Sequence, residues 1–243
     1  MKTILVINGK GGCGKTTVST NLASYYASRK LQTAIMDYDP QGSSINWVKS
    51  RSAMLPRILS ANAAPSHRGG MRSSSMYLPP STDVLIVDPP AGVAGLLLQD
   101  LVKRADFILI PVAPSSIDIH ATAHFVRDLL LTGGARRLNV KMGVVANKVR
   151  STMPVYEPLE RFLRSLSLPM LTRIGDSDQY LKAVENGVGV FELTDPAASP
   201  QRQEFMPIIE WLNIDRRNDT FPDSNIFSMD GTRRMFPRTA GLG

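Results

Sequence analysis

The chain contains little cysteine and no long hydrophobic run. Its single cysteine, Cys13, excludes an internal disulfide, and it forms no Cys/His cluster with zinc-binding spacing. Lys, Arg, Asp or Pro interrupts every apolar run before it reaches the roughly 20 residues that span a bilayer. The apolar segment at residues 1–8 is too short for the core of a signal peptide and lacks a cleavage-type boundary. These absences predict a soluble protein of the reducing cytoplasm.

What the chain does contain is the composition of an ordinary globular domain. Of its 243 residues, 43% are hydrophobic and 20% are charged, so one substantial core is expected. The formal net charge of +7 slightly favours a polyanionic partner such as nucleic acid. The positions of the basic residues along the chain are stronger evidence for such a partner than the net charge.

Short apolar runs alternate with segments of helical periodicity. The runs are rich in Val, Ile and Leu and are continuous rather than alternating, which is typical of strands covered on both faces. They lie at residues 3–8, 33–37, 83–88, 107–111, 142–147 and 169–174. The helical segments lie at residues 16–28, 117–131, 156–166, 179–185 and 202–212. This repetition predicts a three-layer α/β fold, with a mostly parallel twisted sheet flanked by helices.

Two parts of the chain depart from this pattern. Residues 52–81 are rich in Ser, Pro, Gly, Met and Arg. This composition indicates an irregular connection with one short strand around residues 57–60. After Leu212, turn formers such as Pro222 and Gly231 predict irregular structure. We therefore expect one domain over residues 1–213 and an irregular tail over residues 214–243.

A phosphate-binding loop follows the first predicted strand. Residues 9–16 read Gly-Lys-Gly-Gly-Cys-Gly-Lys-Thr and match the pattern G-x-x-x-x-G-K-S/T, between a strand and a helix as the mechanism requires. Glycines allow successive backbone NH groups to turn toward phosphate oxygens, and the helix N-terminus adds a positive dipole end. Lys15 then reaches the β and γ phosphates, and Thr16 supplies a hydroxyl to Mg²⁺. A glycine-rich turn without a ligand is the alternative interpretation.

Cys13 lies inside this loop, next to the start of the predicted helix. A thiol near a helix N-terminus can have a lowered pKa and be reactive. The alternative is a small residue that the loop tolerates without using its thiol.

Three motifs in order along the chain resemble those of one family. Residues 10–17, Lys-Gly-Gly-Cys-Gly-Lys-Thr-Thr, are similar to the deviant Walker A motif of the ParA/MinD family of P-loop ATPases. Residues 37–43, Asp-Tyr-Asp-Pro-Gln-Gly-Ser, resemble the switch segment of that family, and residues 83–92 resemble its Walker B strand end. The likeness covers residues 1–213, and the chain is identified as a small ParA-like partition or positioning ATPase.

The resemblance implies an ATPase that works as a homodimer with ATP. Lys10, Lys15 and Asp39 would be its catalytic residues, and Lys10 would cross the interface to the phosphates of the other subunit's ATP. Two nucleotides would then be sandwiched between two chains. A second cation beside Lys15 is repulsive until triphosphate charge arrives, which agrees with this role. A lysine solvated on the loop is the alternative for Lys10.

The resemblance also implies residues for Mg²⁺ and for the nucleotide. Mg²⁺ would be held by Thr16 and Asp88, with Asp37 in contact through water. Asn147 would meet the adenine edge, although an Asn at a strand end is also a common turn residue. Residues 173–191 resemble the family's last strand, nucleotide-side loop and following helix, except that Asp176 replaces the expected residue. The other nucleotide contacts would come from Gly11, Gly12, Cys13, Gly14, Lys15, Thr16 and Thr17.

Basic residues concentrate in the second half of the chain. Between residues 127 and 182 they outnumber acidic ones, and ParA-like proteins bind DNA without sequence preference. We therefore expect non-specific DNA binding through phosphate contacts and association with the nucleoid. Glutamates four residues before Arg161 and Arg164 indicate, as the alternative, a solvated helix face. The candidate contacts are Arg136, Arg137, Lys141, Lys148, Arg150, Arg161, Arg164, Arg173 and Lys182.

The family also sets expectations about cargo and partners. Its members move a plasmid, a chromosome region or a protein cargo such as carboxysomes, and a ParB-like or cargo-adaptor protein stimulates hydrolysis. A MinD-like or regulatory ATPase that acts on membrane or protein targets is the alternative. Membrane binding is disfavoured because residues 221–243 contain several Pro and Gly and show no apolar stripe. An iron–sulfur electron carrier of the same superfamily is excluded, because it would need further cysteines.

Overall fold

The structure is a computed structural model that describes residues 1–65, 77–131, 133–150, 161 and 168–214. Strands and α-helices alternate along these residues. The strands are β1 (Lys2–Val6), β2 (Thr33–Asp37), β3 (Ile58–Asn62), β4 (Val84–Asp88), β5 (Phe107–Val112), β6 (Lys141–Val149) and β7 (Met170–Gly175). The helices are α1 (Lys15–Ser28), α2 (Ser43–Ser50), α3 (Gly95–Arg104), α4 (Ser116–Leu131), α5 (Asp178–Glu185) and α6 (Ser199–Leu212), with a 3₁₀ turn at Pro196–Ala198.

The seven strands form one parallel sheet in the order β3-β2-β4-β1-β5-β6-β7. In the middle of this sheet, Leu5 of β1 is in register with Val87 of β4 on one side and Ile108 of β5 on the other. Strands β2, β3 and β4 lie on one side of β1, and the later strands β5, β6 and β7 lie on its other side. Loops at the carboxyl ends of the strands open a crevice where the direction of winding changes. The topology therefore places the loop after β1 in such a crevice.

Both faces of the sheet are buried at its central strands. Strands β2, β4 and β5 are buried at every residue, as continuous apolar runs require. On β1, Leu5 belongs to a core that includes side chains of α3 and α4, whereas Ile4 belongs to a second core with α1 and α6. Each fully buried aliphatic side chain contributes about 1.5–3 kcal/mol to folding. The predicted three-layer α/β fold is confirmed.

Helices α2 and α3 are absent from the sequence-based prediction. Helix α2 has only eight residues and reads Ser-Ser-Ile-Asn-Trp-Val-Lys-Ser, which is too short and too polar for a clear period. Helix α3 begins Gly-Leu-Leu-Leu, and three consecutive leucines do not indicate a single buried face. Of the predicted helices, the one at residues 156–166 lies outside the described residues apart from Arg161.

The two irregular parts of the chain are described only in part. Strand β3 pairs in parallel with β2, which confirms the short strand predicted near residues 57–60. Helix α6 ends at Leu212, and Ile214 still packs against the core beneath it. The predicted tail lies outside the described residues from residue 215 onward, so the domain boundary at residue 213 stays a prediction. Among the described residues, no helix is both long and apolar enough to cross a bilayer.

Candidate functional site

The loop between β1 and α1 has a backbone conformation that favours glycine. Gly12 has φ +76° and Gly14 has φ +90°, both in the left-handed region. A Cβ on Gly14 would also lie 1.9 Å from Nδ2 of Asn147. That amide nitrogen donates a hydrogen bond to the carbonyl of Cys13 at 2.8 Å. The end of β6 therefore holds the loop closely against the start of α1.

The carboxyl end of β4 meets the first turn of α1. Oγ1 of Thr16 donates to Oδ2 of Asp88 at 2.9 Å. The other carboxylate oxygen, Oδ1, is buried and has no hydrogen-bond partner among the described residues. Burial raises the pKa of Asp88 to about 7, and the hydrogen bond from Thr16 opposes this effect. A buried carboxylate oxygen without a donor is costly, and it fits a hard cation such as Mg²⁺.

Lys15 is a nearly buried cation beside this carboxylate. Its residue is 9% exposed, and within the described segments it forms no ion pair with Asp or Glu. A nearly buried ammonium group without an ion-pair partner is expensive, because its lost hydration is only partly replaced. The loop around it therefore fits a ligand that carries several negative charges.

The three sequence motifs meet at one cavity of about 390 Å³, which we call the loop cavity. Side chains from the start of α1, the loop after β2 and the end of β4 reach its walls, so residues far apart in sequence share one site. The predicted residues on the walls are Gly11, Gly12, Gly14, Lys15, Thr16, Thr17, Asp39 and Asp88. Gln41 and Lys148, which the motifs did not assign to this site, also line the cavity.

The two carboxylates at the carboxyl end of β2 have different surroundings. Asp37 is fully buried, and its Oδ2 accepts from Oγ of Ser44 at 2.7 Å while its Oδ1 accepts from the amide of Asp39 at 2.8 Å. Asp37 therefore ties the strand end to the first turn of α2. Asp39 is half-buried, and its Oδ1 accepts from the amide of Gln41 at 2.9 Å. The water-mediated contact of Asp37 with Mg²⁺ stays a prediction.

Lys10 and Cys13 lie in the loop but not on the walls of the loop cavity. The amide of Lys10 donates to Oδ1 of Asn8, and its carbonyl accepts from Sγ of Cys13 at 3.3 Å. Within the described residues, the ammonium group of Lys10 forms no ion pair. Cys13 is 1% exposed, and burial raises the pKa of its thiol. That direction favours a small, unreactive residue at position 13.

A second cavity of about 430 Å³ adjoins the first, and we call it the side cavity. Thr16, Thr17 and Lys148 line both cavities. Asn147 also lines the side cavity, but its amide nitrogen is engaged by the loop, so its contact with a base stays a prediction. Asp176 lies on the far wall, where its Oδ2 accepts from Nε of Arg150 at 2.7 Å.

Lys148 is the site residue that sequence reasoning assigned elsewhere. It has φ +58° and lies where the pairing of β6 with β7 shifts register between Ala146 and Val149. This bulge places Lys148 on the walls of both cavities. A one-residue bulge has no clear signature in an apolar run, so the only sequence signal for it is the polar Asn-Lys pair at the end of the run.

The basic residues of the second half do not form one surface. Lys148 lies at the carboxyl edge of the sheet, beside the loop cavity. Arg150 pairs with Asp176, with a side-chain Nη2 to Oδ2 distance of 2.6 Å. Arg136 and Arg137 line a separate cavity between the ends of α3 and α4. Arg164 lies outside the described residues.

No cluster of three or more His, Cys, Asp or Glu side chains suited to a metal occurs in the described part of the chain. This agrees with the way Mg²⁺ is bound in nucleotide sites, through one or two protein ligands together with substrate phosphates. The hydroxyl of Thr16 and the carboxylate of Asp88 are oxygen donors of the kind that such a site uses, and their role as Mg²⁺ ligands stays a prediction. A glycine loop at a helix N-terminus, a buried lysine and this Thr–Asp pair together define a P-loop nucleotide-binding protein.

The particular family follows from the sequence as a whole. The model of the CobQ/CobB/MinD/ParA nucleotide binding domain matches residues 4–190, so the chain belongs to that family. The resemblance to ParA/MinD ATPases is thereby confirmed, and the chain has their nucleotide-binding ATPase fold.

Individual relatives agree with this assignment. Maintenance of carboxysome distribution protein A from Halothiobacillus neapolitanus is 31% identical over 198 residues, which cover 79% of this chain and 87% of that protein. The complex of Cyanothece McdA with ATP has a TM-score of 0.67 at 18% identity, over 90% of this chain and 99% of that one. The cell division protein MinD of Aquifex aeolicus has a TM-score of 0.65 at 17% identity, over the same shares of the two chains. At these identities the two solved structures show the fold alone.

Proposed function

We propose that this chain is a ParA-type ATPase that forms an ATP-sandwich dimer, binds nucleoid DNA without sequence preference and positions a cargo. A ParB-like or cargo-adaptor protein would stimulate hydrolysis, and hydrolysis would separate the dimer into monomers. The observation that carries the proposal is the Thr16–Asp88 hydrogen bond, with Oδ1 of Asp88 buried beside it and without a donor. A site built in this way supports Mg-ATP as its ligand.

The residues of the loop cavity would have different roles in ATP binding and hydrolysis. Backbone NH groups of the loop and the ammonium group of Lys15 bind phosphate oxygens. Thr16 and Asp88 would hold Mg²⁺, which neutralises phosphate charge when it is bound. Asp39 orients the attacking water: its Oδ1 is held by the amide of Gln41, and its Oδ2 has no hydrogen bond within the described residues.

Lys10 completes the site of a second subunit. Its ammonium group has no ion pair within the described residues and does not line the loop cavity of its own chain. A contact with the triphosphate of a partner molecule would supply the missing anion. ATP would then hold two chains together, since each nucleotide meets Lys15 from one subunit and Lys10 from the other.

The cargo is proposed from the relatives. The protein from Halothiobacillus neapolitanus is named for the maintenance of carboxysome distribution, and this chain matches it over 87% of its length. We therefore propose a carboxysome-like protein body as the cargo. The protein would act in the cytoplasm, bound to the nucleoid.

Exposed cations at the carboxyl edge, among them Lys148 and Lys182, support DNA contact in the dimer.

The test measures dimerisation in the presence of Mg-ATP by size-exclusion chromatography with light scattering. Asp39→Ala should accumulate as a persistent dimer, because ATP is bound but not hydrolysed. Lys10→Ala should bind ATP and stay monomeric, because the contact between subunits is lost. Lys30→Ala, an exposed lysine at the opposite end of α1, serves as the control and should behave like the wild type. Normal dimerisation of Lys10→Ala would overturn the sandwich arrangement.

A further inference from the structure

A third concave region lies at the edge of the sheet opposite the nucleotide loop. Helices α3 and α4 begin near the carboxyl ends of β4 and β5 and run back, so their last turns lie at the amino edge. With the loop before β6 they enclose a groove of about 640 Å³, which we call the far groove. Its walls include Gln99, Lys103, Leu130, Leu131, Arg136 and Arg137.

The far groove is strongly cationic. Lys103, Arg136 and Arg137 line it, and none of them forms an ion pair with a described carboxylate. The two nearest acidic side chains along α3 and α4 already have partners. Asp100 pairs with Arg104 at 3.0 Å, and Asp128 lies 3.9 Å from Arg127. Three cations therefore share one concavity without internal neutralisation, which favours an anionic ligand.

The turn that carries the two arginines has a defined shape. The amide of Gly133 donates to the carbonyl of Asp128 at 2.9 Å, and the amide of Leu138 donates to the carbonyl of Gly134 at 3.0 Å. Gly134 has φ +74°, and a Cβ on Gly133 would lie 2.7 Å from the carbonyl oxygen of Leu129. Both positions thus require glycine. Because the backbone of this turn is already restrained, little further conformational entropy is lost when its cations bind a ligand.

The groove also has an apolar wall. Leu130 is half-buried and Leu131 is 70% exposed, beside the cations. A DNA duplex is a convex cylinder that is held by phosphate contacts across a broad surface, and an exposed leucine in a concavity adds nothing to such contacts. A peptide with carboxylates and an apolar side chain matches both features, because guanidinium groups bind carboxylates in pairs of hydrogen bonds.

We propose that the far groove is a docking site for an acidic peptide segment that carries an apolar side chain. Helix α3 has ten residues and spans about 15 Å, which separates the groove from the loop cavity. A dimer that closes over the nucleotide edge leaves the opposite edge uncovered. The groove therefore accepts its partner with or without nucleotide, and a dimer presents two such sites to a multivalent partner.

The test uses the full chain and fluorescence anisotropy at low ionic strength. The probe is a fluorescein-labelled peptide of repeated Asp-Glu-Leu units, and the control peptide has repeated Asn-Gln-Leu units. We expect the acidic peptide to bind with and without Mg-ATP, and the neutral peptide not to bind. The double change Arg136→Glu and Arg137→Glu should weaken binding by at least roughly tenfold, and Lys103→Glu should also weaken it.

The matched control reverses two charges at the same edge but outside the groove. Arg29→Glu with Lys30→Glu alters exposed residues after α1 and should leave peptide binding unchanged. Equal loss in this control, or equal binding of the neutral peptide, would overturn the proposal. It would also be overturned if the wild type bound random-sequence DNA through Arg136 and Arg137 but did not bind the acidic peptide. Circular dichroism and ATP binding verify that each variant is folded, and because the assay works without nucleotide, its failure is separate from failure of the ATPase proposal.

Discussion

At the scale of single residues, the site depends on groups that the protein does not satisfy by itself. Oδ1 of Asp88 is buried without a donor, and Lys15 is nearly buried without a carboxylate partner in the described part of the chain. Both arrangements destabilise the protein until a ligand of the complementary charge is bound. These two positions therefore lower the free energy of unfolding of the ligand-free protein and favour ligand binding. The loss of stability can be measured.

Replacement of Asp88 by Asn should show this cost as a pH dependence. The pKa of Asp88 is raised by burial to about 7, so the folded protein retains a proton that the unfolded chain loses near its ordinary pKa of 3.8. The contribution of this group is therefore favourable below about pH 4 and is lost as the pH rises toward 7. Asp88→Asn carries no charge and should be more stable than the wild type at about pH 8, by an amount on the order of 1–4 kcal/mol.

Urea unfolding of both proteins without nucleotide or Mg²⁺, at about pH 5 and about pH 8, measures the difference. The advantage of the variant should shrink at the lower pH, since the carboxyl group is then mostly neutral in the folded wild type. Asp128→Asn, at an exposed position, provides the control and should change little with pH. The same stability difference at both pH values would contradict the assignment.

At the scale of elements, a buried ion pair joins segments around the site. Arg51 follows α2, and its Nη2 lies 2.7 Å from Oε1 of Glu192, with both side chains only 5% exposed. The guanidinium also donates to the carbonyl of Gly187 at 3.1 Å, and Glu192 accepts from the amide of Gly189 at 2.9 Å. The pair therefore connects the helix after the Asp37–Asp39 segment to the loop after α5.

Removal of one partner of this pair should be strongly destabilising. Arg51→Met leaves a buried carboxylate without its counter-charge, and we expect a loss of about 3–5 kcal/mol in the free energy of unfolding. The double variant Arg51→Met with Glu192→Leu should recover a large part of that loss, because no charge remains buried. Urea denaturation measures both effects. Arg104→Met, which removes the exposed pair with Asp100, is the control and should have little effect.

The elements also show where prediction from sequence succeeds. Each predicted strand is found within a few residues of its expected place, because continuous apolar runs in a two-sided sheet are unambiguous. Helix α2 is missed because it is short and polar and because its first turn depends on Asp37, which accepts from the amide and hydroxyl of Ser44, seven residues later. The bulge at Lys148 was missed because strand pairing, rather than the local sequence, creates it.

At the scale of the whole molecule, the proposed function depends on how charge is distributed over the two edges of the sheet. The sequence places the candidate DNA contacts in a single stretch, residues 127–182. The fold separates them, with Lys148 beside the loop cavity and Arg136 in the far groove. The two edges are therefore available to different partners, and the proposed nucleotide site lies at the carboxyl edge alone.

We predict that DNA binding depends on ATP and decreases steeply with salt. Retention of the protein on random-sequence duplex should require Mg-ATP and fall by at least roughly tenfold between about 50 and 200 mM salt, because dispersed cations displace counterions from phosphates. Lys10→Ala, which should not dimerise, should be retained poorly, and Lys30→Ala should match the wild type. Absence of binding at low salt with ATP would instead favour a MinD-like or regulatory ATPase that acts on membrane or protein targets.

The sequence by itself determined the parallel α/β fold, the phosphate-binding loop and the edge of the sheet at which Asp39 and Asp88 emerge. These follow from local pattern, since an apolar run, a glycine loop and a strand-end carboxylate each occupy consecutive residues. Only the tertiary structure decided which carboxylate keeps a buried oxygen without a donor, why Lys148 reaches both cavities and how α3, α4 and the turn at Gly134 form the far groove. The physical reason is that hydrogen-bond satisfaction, burial and concavity depend on distances between segments that are remote along the chain.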